Sequence, residues 1–127
     1  MSVFTLSAQS STDIDNLYQG NDQKYYDKQT GKLYSGVAYN KYDNGQIGMK
    51  GNIKLGVFDG LWTWWYEDGA KKRETTYKDG LKEGYSYWWH KNGIKKAEIR
   101  FNGDKNIEQK RWDEKGNRLP NPKLGRG

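Results

Sequence analysis

Side chains that could perform catalysis are few and scattered in this sequence. His90 is the only histidine and there is no cysteine, so no set of metal ligands with a familiar spacing is present. Acidic pairs such as Glu67-Asp68 and Asp113-Glu114 lie in turn sequences, where acids serve the backbone. No glycine-rich phosphate loop or nucleophile motif is visible. The sequence therefore predicts a protein with no enzymatic activity, no cofactor and no metal site.

The residues best suited to binding another molecule are aromatic. The chain has 6 Trp, 10 Tyr and 3 Phe, including the doublets Trp64-Trp65 and Trp88-Trp89. Neighbouring residues of a strand point to opposite faces, so one indole of each doublet can line a core while the other cannot. Exposed aromatic patches mark interaction sites. The predicted partner-binding rings are Trp65, Tyr85, Tyr87 and Trp89, unless the N-terminal segment, a second subunit or the curvature of the sheet covers them.

Basic residues are concentrated in the second half of the chain. Residues 1–69 carry 6 Lys/Arg against 8 Asp/Glu, and residues 70–127 carry 16 against 8. The strips Lys71-Lys72-Arg73 and Lys95-Lys96 would lie along one edge, each followed by an acid, Glu74 or Glu98. A mixed strip of this kind is typical of a solvated edge, and it can also steer an acidic partner. The predicted steering residues are Lys71, Lys72, Lys95 and Lys96.

A repeat of 24 residues organises these side chains. Gly45, Gly69 and Gly93 are separated by 24 residues, and a further copy at Gly116 follows after 23. We predict hairpin tips at Asn44-Gly45, Asp68-Gly69 and Asn92-Gly93, each with a type I′ turn. A longer glycine-bearing link, such as residues 79–84, should join one unit to the next. A single hairpin is marginal in water, so the units should stack edge to edge. The predicted fold is an all-β, elongated, curved, single-layer antiparallel sheet of stacked hairpins of about 24 residues.

Alternation along the strands assigns structural roles. In the first strand of a unit, Trp62, Trp64 and Tyr66 share one face. In the return strand, positions 49/73/97, 51/75/99 and 53/77/101 are expected to face inward. The predicted structural residues are the tip glycines Gly45, Gly69 and Gly93, together with Trp62, Trp64, Tyr66, Trp88 and, 24 residues after Trp88, Trp112.

The array should occupy residues 24–118, between a flexible lead or short N-terminal strand at 1–23 and a proline-bearing tail at 119–127. Residues 1–9 have some character of a trimmed signal peptide, because Val3, Phe4 and Leu6 precede small residues. That interpretation predicts export to the periplasm or cell surface. Without it the protein would be cytoplasmic, and the compartment stays open.

The pattern Gly-x-Trp-x-Trp-x-Tyr-x-(Asn/Asp)-Gly-x-Lys-Lys resembles the bacterial variant of the MORN repeat, as in proteins grouped as YwqK-family antitoxins. The resemblance covers residues 24–118 and is best at residues 60–72. Residues 84–96 depart from it mainly at Ser86 and His90. The outer units are more degenerate, at Asn40-Lys41 and at residues 108–110, as in capping units.

The resemblance implies a curved sheet of hairpins that binds other proteins, in some relatives as the neutralising partner of a toxin. Eukaryotic MORN proteins are also linked to phospholipid binding. We therefore expect a non-enzymatic interaction scaffold that masks a partner, such as a toxin, through its aromatic face. Two alternatives stay open: an envelope module that binds anionic lipid or polysaccharide, and a homo-oligomeric structural array. Nucleic acid is the less favoured partner.

Overall fold

The computed structural model describes residues 10–121, and these residues form an all-β fold. The expected signal remnant at residues 1–9 and most of the expected tail lie outside the described residues. The elements are β1 (Ser11–Asp13), a 3-10 turn η1 (Ile14–Asn16), β2 (Leu17–Gln19), β3 (Tyr25–Asp27), β4 (Gly36–Lys41), β5 (Ile47–Lys54), β6 (Val57–Trp65), β7 (Lys71–Lys78), β8 (Leu81–Trp89), β9 (Lys95–Asn102), β10 (Lys105–Trp112) and β11 (Arg118–Leu119).

Nine strands form one open sheet in the order β1-β4-β5-β6-β7-β8-β9-β10-β11. From β4 to β11, each strand pairs antiparallel with the next one along the chain, which is the pattern of stacked hairpins. The predicted all-β sheet of hairpins is confirmed. One strand departs from the expected pairing, because β1 lies parallel to β4 at the edge of the sheet.

The N-terminal elements cover one end of the sheet. β2 and β3 pair with each other in a separate two-stranded sheet, so the expected boundary at residue 24 falls inside this small hairpin. Leu17 and Tyr34 pack there against Ala38, Ile53 and Trp62 to form the core. We call the side of the large sheet that carries Trp62 the inner face, and the opposite side the outer face.

The expected inward positions are partly buried or buried on the inner face. Ile53 and Thr75 have no exposed surface, and Ala97 and Phe101 are at least nine-tenths buried. Tyr77 and Met49 pack against the core cluster. The period-2 alternation therefore assigned the faces of the return strands correctly.

The turns differ from the prediction. At the tip of the β6–β7 hairpin, the Tyr66 carbonyl accepts from the Gly69 amide at 2.9 Å and the Tyr66 amide donates to the Ala70 carbonyl at 2.8 Å. Gly69 has a φ of 90°, whereas Asp68 is not among the residues with positive φ. This is a three-residue loop that ends in a glycine bulge, not a type I′ turn. The same geometry recurs at Gly45 and Gly93.

An Asx hydrogen bond explains the difference. The Asp68 carboxylate accepts from the Ala70 amide at 2.9 Å, and the side chains of Asn44 and Asn92 make the equivalent bond to residues 46 and 94. This local bond satisfies the amide two residues on. Type I′ turns occur instead between the units, where both central residues have positive φ: Leu55-Gly56, Asp79-Gly80 and Gly103-Asp104.

Each tip is followed by a β-bulge in the return strand. Trp64 lies opposite Arg73 and Trp65 lies opposite Lys71, so Lys72 has no partner on β6. The β8–β9 hairpin repeats this arrangement with Lys96. A bulge returns the strand to register after the loop. It therefore decides which of two neighbouring lysines lies on which face.

A glycine makes room for the most buried indole. Trp62 has no exposed surface, stacks on Phe58 with ring centroids 3.7 Å apart and donates from Nε1 to the Asn52 carbonyl at 2.9 Å. A Cβ at Gly51 would lie 2.1 Å from Cδ2 of this indole. In the next unit Thr75 stands in place of Gly51, and Ser86 stands in place of Trp62. The glycine and the indole are therefore replaced together.

We therefore expect Gly51→Ala to lower the free energy of unfolding by about 1–3 kcal/mol, because the new methyl overpacks the Trp62 site. Chemical denaturation followed by far-UV circular dichroism measures this. Thr76→Ala, at an exposed position of β7, is the matched control. In a Trp62→Phe background the cost should shrink, and an equal cost in both backgrounds would contradict this packing.

Candidate binding faces of the sheet

The outer face carries a row in which indoles and cations alternate across the strands. Trp65 lies opposite Lys71, Trp89 opposite Lys95, and Trp112 opposite Arg118. The ammonium of Lys71 lies 5.6 Å from the Trp89 ring centroid, and that of Lys95 lies 5.8 Å from the Trp112 centroid. These distances are within the range of cation–π attraction. We call Trp65, Lys71, Trp89, Lys95, Trp112 and Arg118 the outer row.

A second series of rings runs along β8 on the same face. The ring centroids of Tyr85 and Tyr87 are 6.1 Å apart, and those of Tyr87 and Trp89 are 6.0 Å apart. Tyr85 is 45% exposed, whereas Tyr87 and Trp89 are partly buried. The four predicted partner-binding rings thus include three that are in series. Trp65 joins them through Lys71 in the outer row.

Tyr87 keeps its proton at neutral pH. Burial raises the pKa of the Tyr87 hydroxyl above its ordinary value, and the nearby carboxylates of Glu98 and Glu74 add to this effect. A neutral phenol can donate a hydrogen bond as well as pack its ring. This is the chemistry that makes tyrosine frequent in protein interfaces.

Trp65 also borders a depression in the outer face near the hairpin tips. The depression has a volume of about 420 Å³, and its walls include Ile47, Lys50 and Trp65. It offers an apolar wall and one cation to an incoming side chain. The depression and the rings of β8 lie on one face of the sheet.

Trp112 does not lie where the sequence prediction placed it. Ala97 on β9 pairs with Trp88 on β8 and with Arg111 on β10. Arg111 therefore shares the inner face with Trp88, and Trp112, the next residue, does not. Trp112 instead meets Lys95 on the outer face. The expectation that Trp112 shares the inner face with Trp64 and Trp88 is wrong, because the last unit is one residue shorter and Trp112 corresponds to Trp89.

The four predicted steering lysines divide between two locations. Lys71 and Lys95 belong to the outer row, and Lys71 also pairs with Glu74. Lys72 lies at the bulge with its ammonium 5.7 Å from the Tyr66 ring centroid. Lys96 occupies the equivalent bulge of the next hairpin. The doublet spacing alone could not separate these roles.

The hairpin tips are tied to one another by hydrogen bonds that the sequence analysis missed. Tyr42 and Tyr66 donate their hydroxyls to the Trp65 and Trp89 carbonyls, each at 2.7 Å. His90 makes the equivalent bond from Nε2 to the Trp112 carbonyl at 2.9 Å, and since a carbonyl only accepts, Nε2 must carry the proton. The recurrent Tyr, Tyr, His three residues before each tip glycine was the available signal.

Asparagine amides strengthen the same connection. The Asn44 amide donates to the Glu67 carbonyl at 2.9 Å, and the Asn92 amide donates to the Glu114 carbonyl at 2.8 Å. Asp68, which stands at the equivalent position between them, has no amide to donate. These bonds link successive tips, so they fix the spacing of the outer row.

On the inner face, Arg73 is the residue that the sequence analysis did not single out. Its guanidinium carbon lies 4.4 Å from the Trp64 ring centroid and 5.0 Å from that of Trp88. Its Nε donates to the Thr75 hydroxyl at 2.9 Å. Burial lowers the pKa of Arg73 below its ordinary value, while the nearby Tyr77 side chain opposes that effect electrostatically. Arginine nevertheless remains charged in proteins.

Ser86 marks a gap in the aromatic pattern of this face. It stands where Trp62 stands one unit earlier, is 1% exposed and has no hydrogen-bond partner for its hydroxyl. An unpaired buried hydroxyl is unfavourable. The indole that would fill this position is absent, and Arg73 and Thr75 lie beside it instead.

Among residues 10–121 there is no cluster of three or more side chains that could hold a metal ion. No helix in that part of the chain is long and apolar enough to cross a membrane. Comparison of the sequence with family models, with curated proteins and with solved structures gives no match.

We expect His90→Phe to lower the free energy of unfolding by about 0.5–1.5 kcal/mol, because the Trp112 carbonyl loses its donor. His90→Tyr should retain most of the stability, since tyrosine makes this bond in the two preceding units. Thermal or urea unfolding compares the two variants. Equal stability of the phenylalanine and tyrosine variants would contradict the proposed tie.

Proposed function

We propose that this protein is a non-enzymatic scaffold that binds another protein through its outer face. The observation that carries the proposal is the aromatic series Tyr85, Tyr87 and Trp89, which Lys95 connects to Trp112 and Lys71 connects to Trp65. Trp and Tyr dominate the energetics of protein interfaces. A rigid sheet presents them with little loss of side-chain entropy on binding.

The placement of the N-terminal elements supports this choice of face. Their buried residues pack on the inner face against Ile53 and Trp62. Within residues 10–121, β7 to β10 pack extensively only on their neighbours in the sheet. No described element therefore covers the rings of β8 on the outer side.

An acidic protein is the expected partner. Lys71 and Lys95 lie among the rings, and Lys95 is also 4.9 Å from the Tyr87 ring centroid. Such cations steer an approaching acidic surface and add specificity more than affinity. The resemblance to the bacterial MORN-variant proteins suggests a toxin as the kind of partner, which the scaffold would neutralise by steric masking.

One further observation favours a second candidate. Trp65, Trp89 and Trp112 occupy equivalent positions on alternate strands, so they recur at about 10 Å. Evenly spaced indoles also suit the sugar rings of an extended polysaccharide. The regular tie of each tip to the next keeps this spacing constant.

The protein-binding proposal is tested by replacing Tyr85 with a photo-reactive phenylalanine derivative in the native host. The cross-linked protein is then identified, purified and titrated by calorimetry against the intact chain. We expect Tyr87→Ala combined with Trp89→Ala to weaken binding by at least about 100-fold. Binding should change by less than about tenfold between about 0.1 and 0.5 M salt.

The matched control is Tyr18→Ala, which removes an exposed tyrosine from the N-terminal hairpin. It should leave the affinity unchanged. Unaltered affinity of the folded double variant would refute the outer-face site. Anionic vesicles or acidic glycans that bind the intact chain, and are released by salt, would favour the envelope alternative.

A further inference from the structure

The inner face of β7 to β10 carries cations and no carboxylate. Arg73 lies between Trp64 and Trp88, Lys82 lies opposite Tyr77, and Arg111 lies opposite Ala97. The ammonium of Lys82 is 5.0 Å from the Phe101 ring centroid. These side chains lie on the face that carries Trp62. They belong to the part of the sheet on which the described N-terminal elements do not pack.

The carboxylates of the same strands are on the other side or at the edge. Glu74 and Glu98 both lie opposite Tyr87 on the outer face. Glu108 lies opposite Arg100, which in turn lies opposite Tyr85. The remaining glutamate of these strands, Glu83, accepts a hydrogen bond from the Gly103 amide at the turn. Asp104, in the turn after β9, accepts a hydrogen bond from the Lys82 amide and raises the pKa of Tyr77, so its carboxylate borders the inner face at the Lys82 end.

The ion pairs follow the same division. The two that occur among the described residues, Lys71–Glu74 and Arg100–Glu108, are both on the outer face. None of the ion pairs among residues 10–121 involves Arg73, Lys82 or Arg111. Cations that are held in place without a carboxylate favour an incoming anion.

The geometry of Arg73 specifies how that anion would bind. Trp64 and Trp88 flank the guanidinium, and Nε is committed to Thr75. Its two terminal NH2 groups supply four further N–H donors. The planar fork of a guanidinium matches the two oxygens of a carboxylate.

We propose that the inner face of β7 to β10 binds an extended acidic segment of a partner polypeptide. Arg73 and Arg111 are three strands apart, or about 14 Å. Carboxylates at positions i and i+4 of an extended peptide are separated by nearly the same distance, about 13 Å. A segment that crosses the strands therefore places one acid at each arginine.

Two features favour polypeptide over other polyanions. Bases of a single-stranded nucleic acid need open ring faces for stacking, whereas the Arg73 guanidinium occupies one face of both Trp64 and Trp88. A flat bilayer needs cations that can extend from the surface, whereas Arg73 is partly buried and fixed by Thr75. The inner site is separate from the outer face, so its failure would leave the proposed function untouched.

The test uses the intact chain and a fluorescent peptide of about twelve residues that alternates glutamate and threonine, followed by anisotropy. The matching peptide with glutamine in place of glutamate is the control ligand. We expect the glutamate peptide alone to bind, and Arg73→Gln to weaken it by at least about tenfold. Arg111→Gln, at a less enclosed position, should also weaken binding and serves if Arg73→Gln fails to fold.

Arg100→Gln is the matched control variant, because it removes the same charge from the outer face, where Arg100 pairs with Glu108. It should leave peptide binding within about twofold. An equal loss in Arg100→Gln would show a non-specific charge effect and overturn the proposal. So would the absence of peptide binding, a loss caused by Trp89→Ala, or an oligonucleotide or anionic vesicle that binds more tightly with the same dependence on Arg73.

Discussion

Contacts between a cation and an aromatic ring on a neighbouring strand are the interaction on which this sheet depends. The chain is poor in aliphatic residues, with only 33% hydrophobic residues in all, and most of the sheet has no second layer among residues 10–121. Rings must therefore be covered by side chains of their own sheet. The long stems of lysine and arginine can cover apolar surface while the charged end stays hydrated or meets a ring face.

This interaction occurs on both faces, with a different cation on each. Arg73 is enclosed by Trp64 and Trp88 on the inner face, whereas Lys71 and Lys95 separate the indoles of the outer row. The bulge after each tip determines this division, since it moves Lys72 out of the pairing. The hydrogen bonds between tips then hold successive units at one spacing, so both faces become regular surfaces.

Charge gives the two faces separate capacities. Glutamates accompany the lysines of the outer face, which leaves it mixed in sign and rich in exposed rings. On the inner face of the second half, strands β7 to β10 carry cations and no carboxylate. Open sheets also risk pairing at their edges. Here β10 carries charged residues and a bulge between Asn106 and Glu108, and the short β11 covers only its end.

Much of the fold follows from the sequence, because a repeated glycine and period-2 alternation are local signals. These two signals were enough to assign Trp62 and the inward positions of the return strands to the inner face. The turn types could not be predicted, because Asn-Gly occurs both in two-residue type I′ turns and in three-residue loops that end in a glycine bulge. The Asx hydrogen bond that favours the second type is not visible in a dipeptide. Trp112 was misplaced because one missing residue in the last unit exchanges the faces.

The binding faces were only partly predictable. The rings of β8 follow from the Trp88-Trp89 doublet, since alternation fixes their direction. The roles of Lys71 and Lys72 depend on a bulge that no residue type announces. Arg73 stood in a lysine strip, and its enclosure becomes evident only when Trp64 and Trp88 are placed on either side of it. The parallel pairing of β1 with β4 joins residues that are distant in sequence, such as Ser11 and Val37.

The most direct test of this account is a set of side-chain nuclear Overhauser effects in the intact protein. The Arg73 side-chain protons should show effects to the rings of both Trp64 and Trp88, and none to Trp65 or Trp89. The Lys71 side-chain protons should show effects to Trp89 and none to Trp88. Effects from Arg73 and Lys71 to the same indole would contradict the division of cations and rings between the two faces.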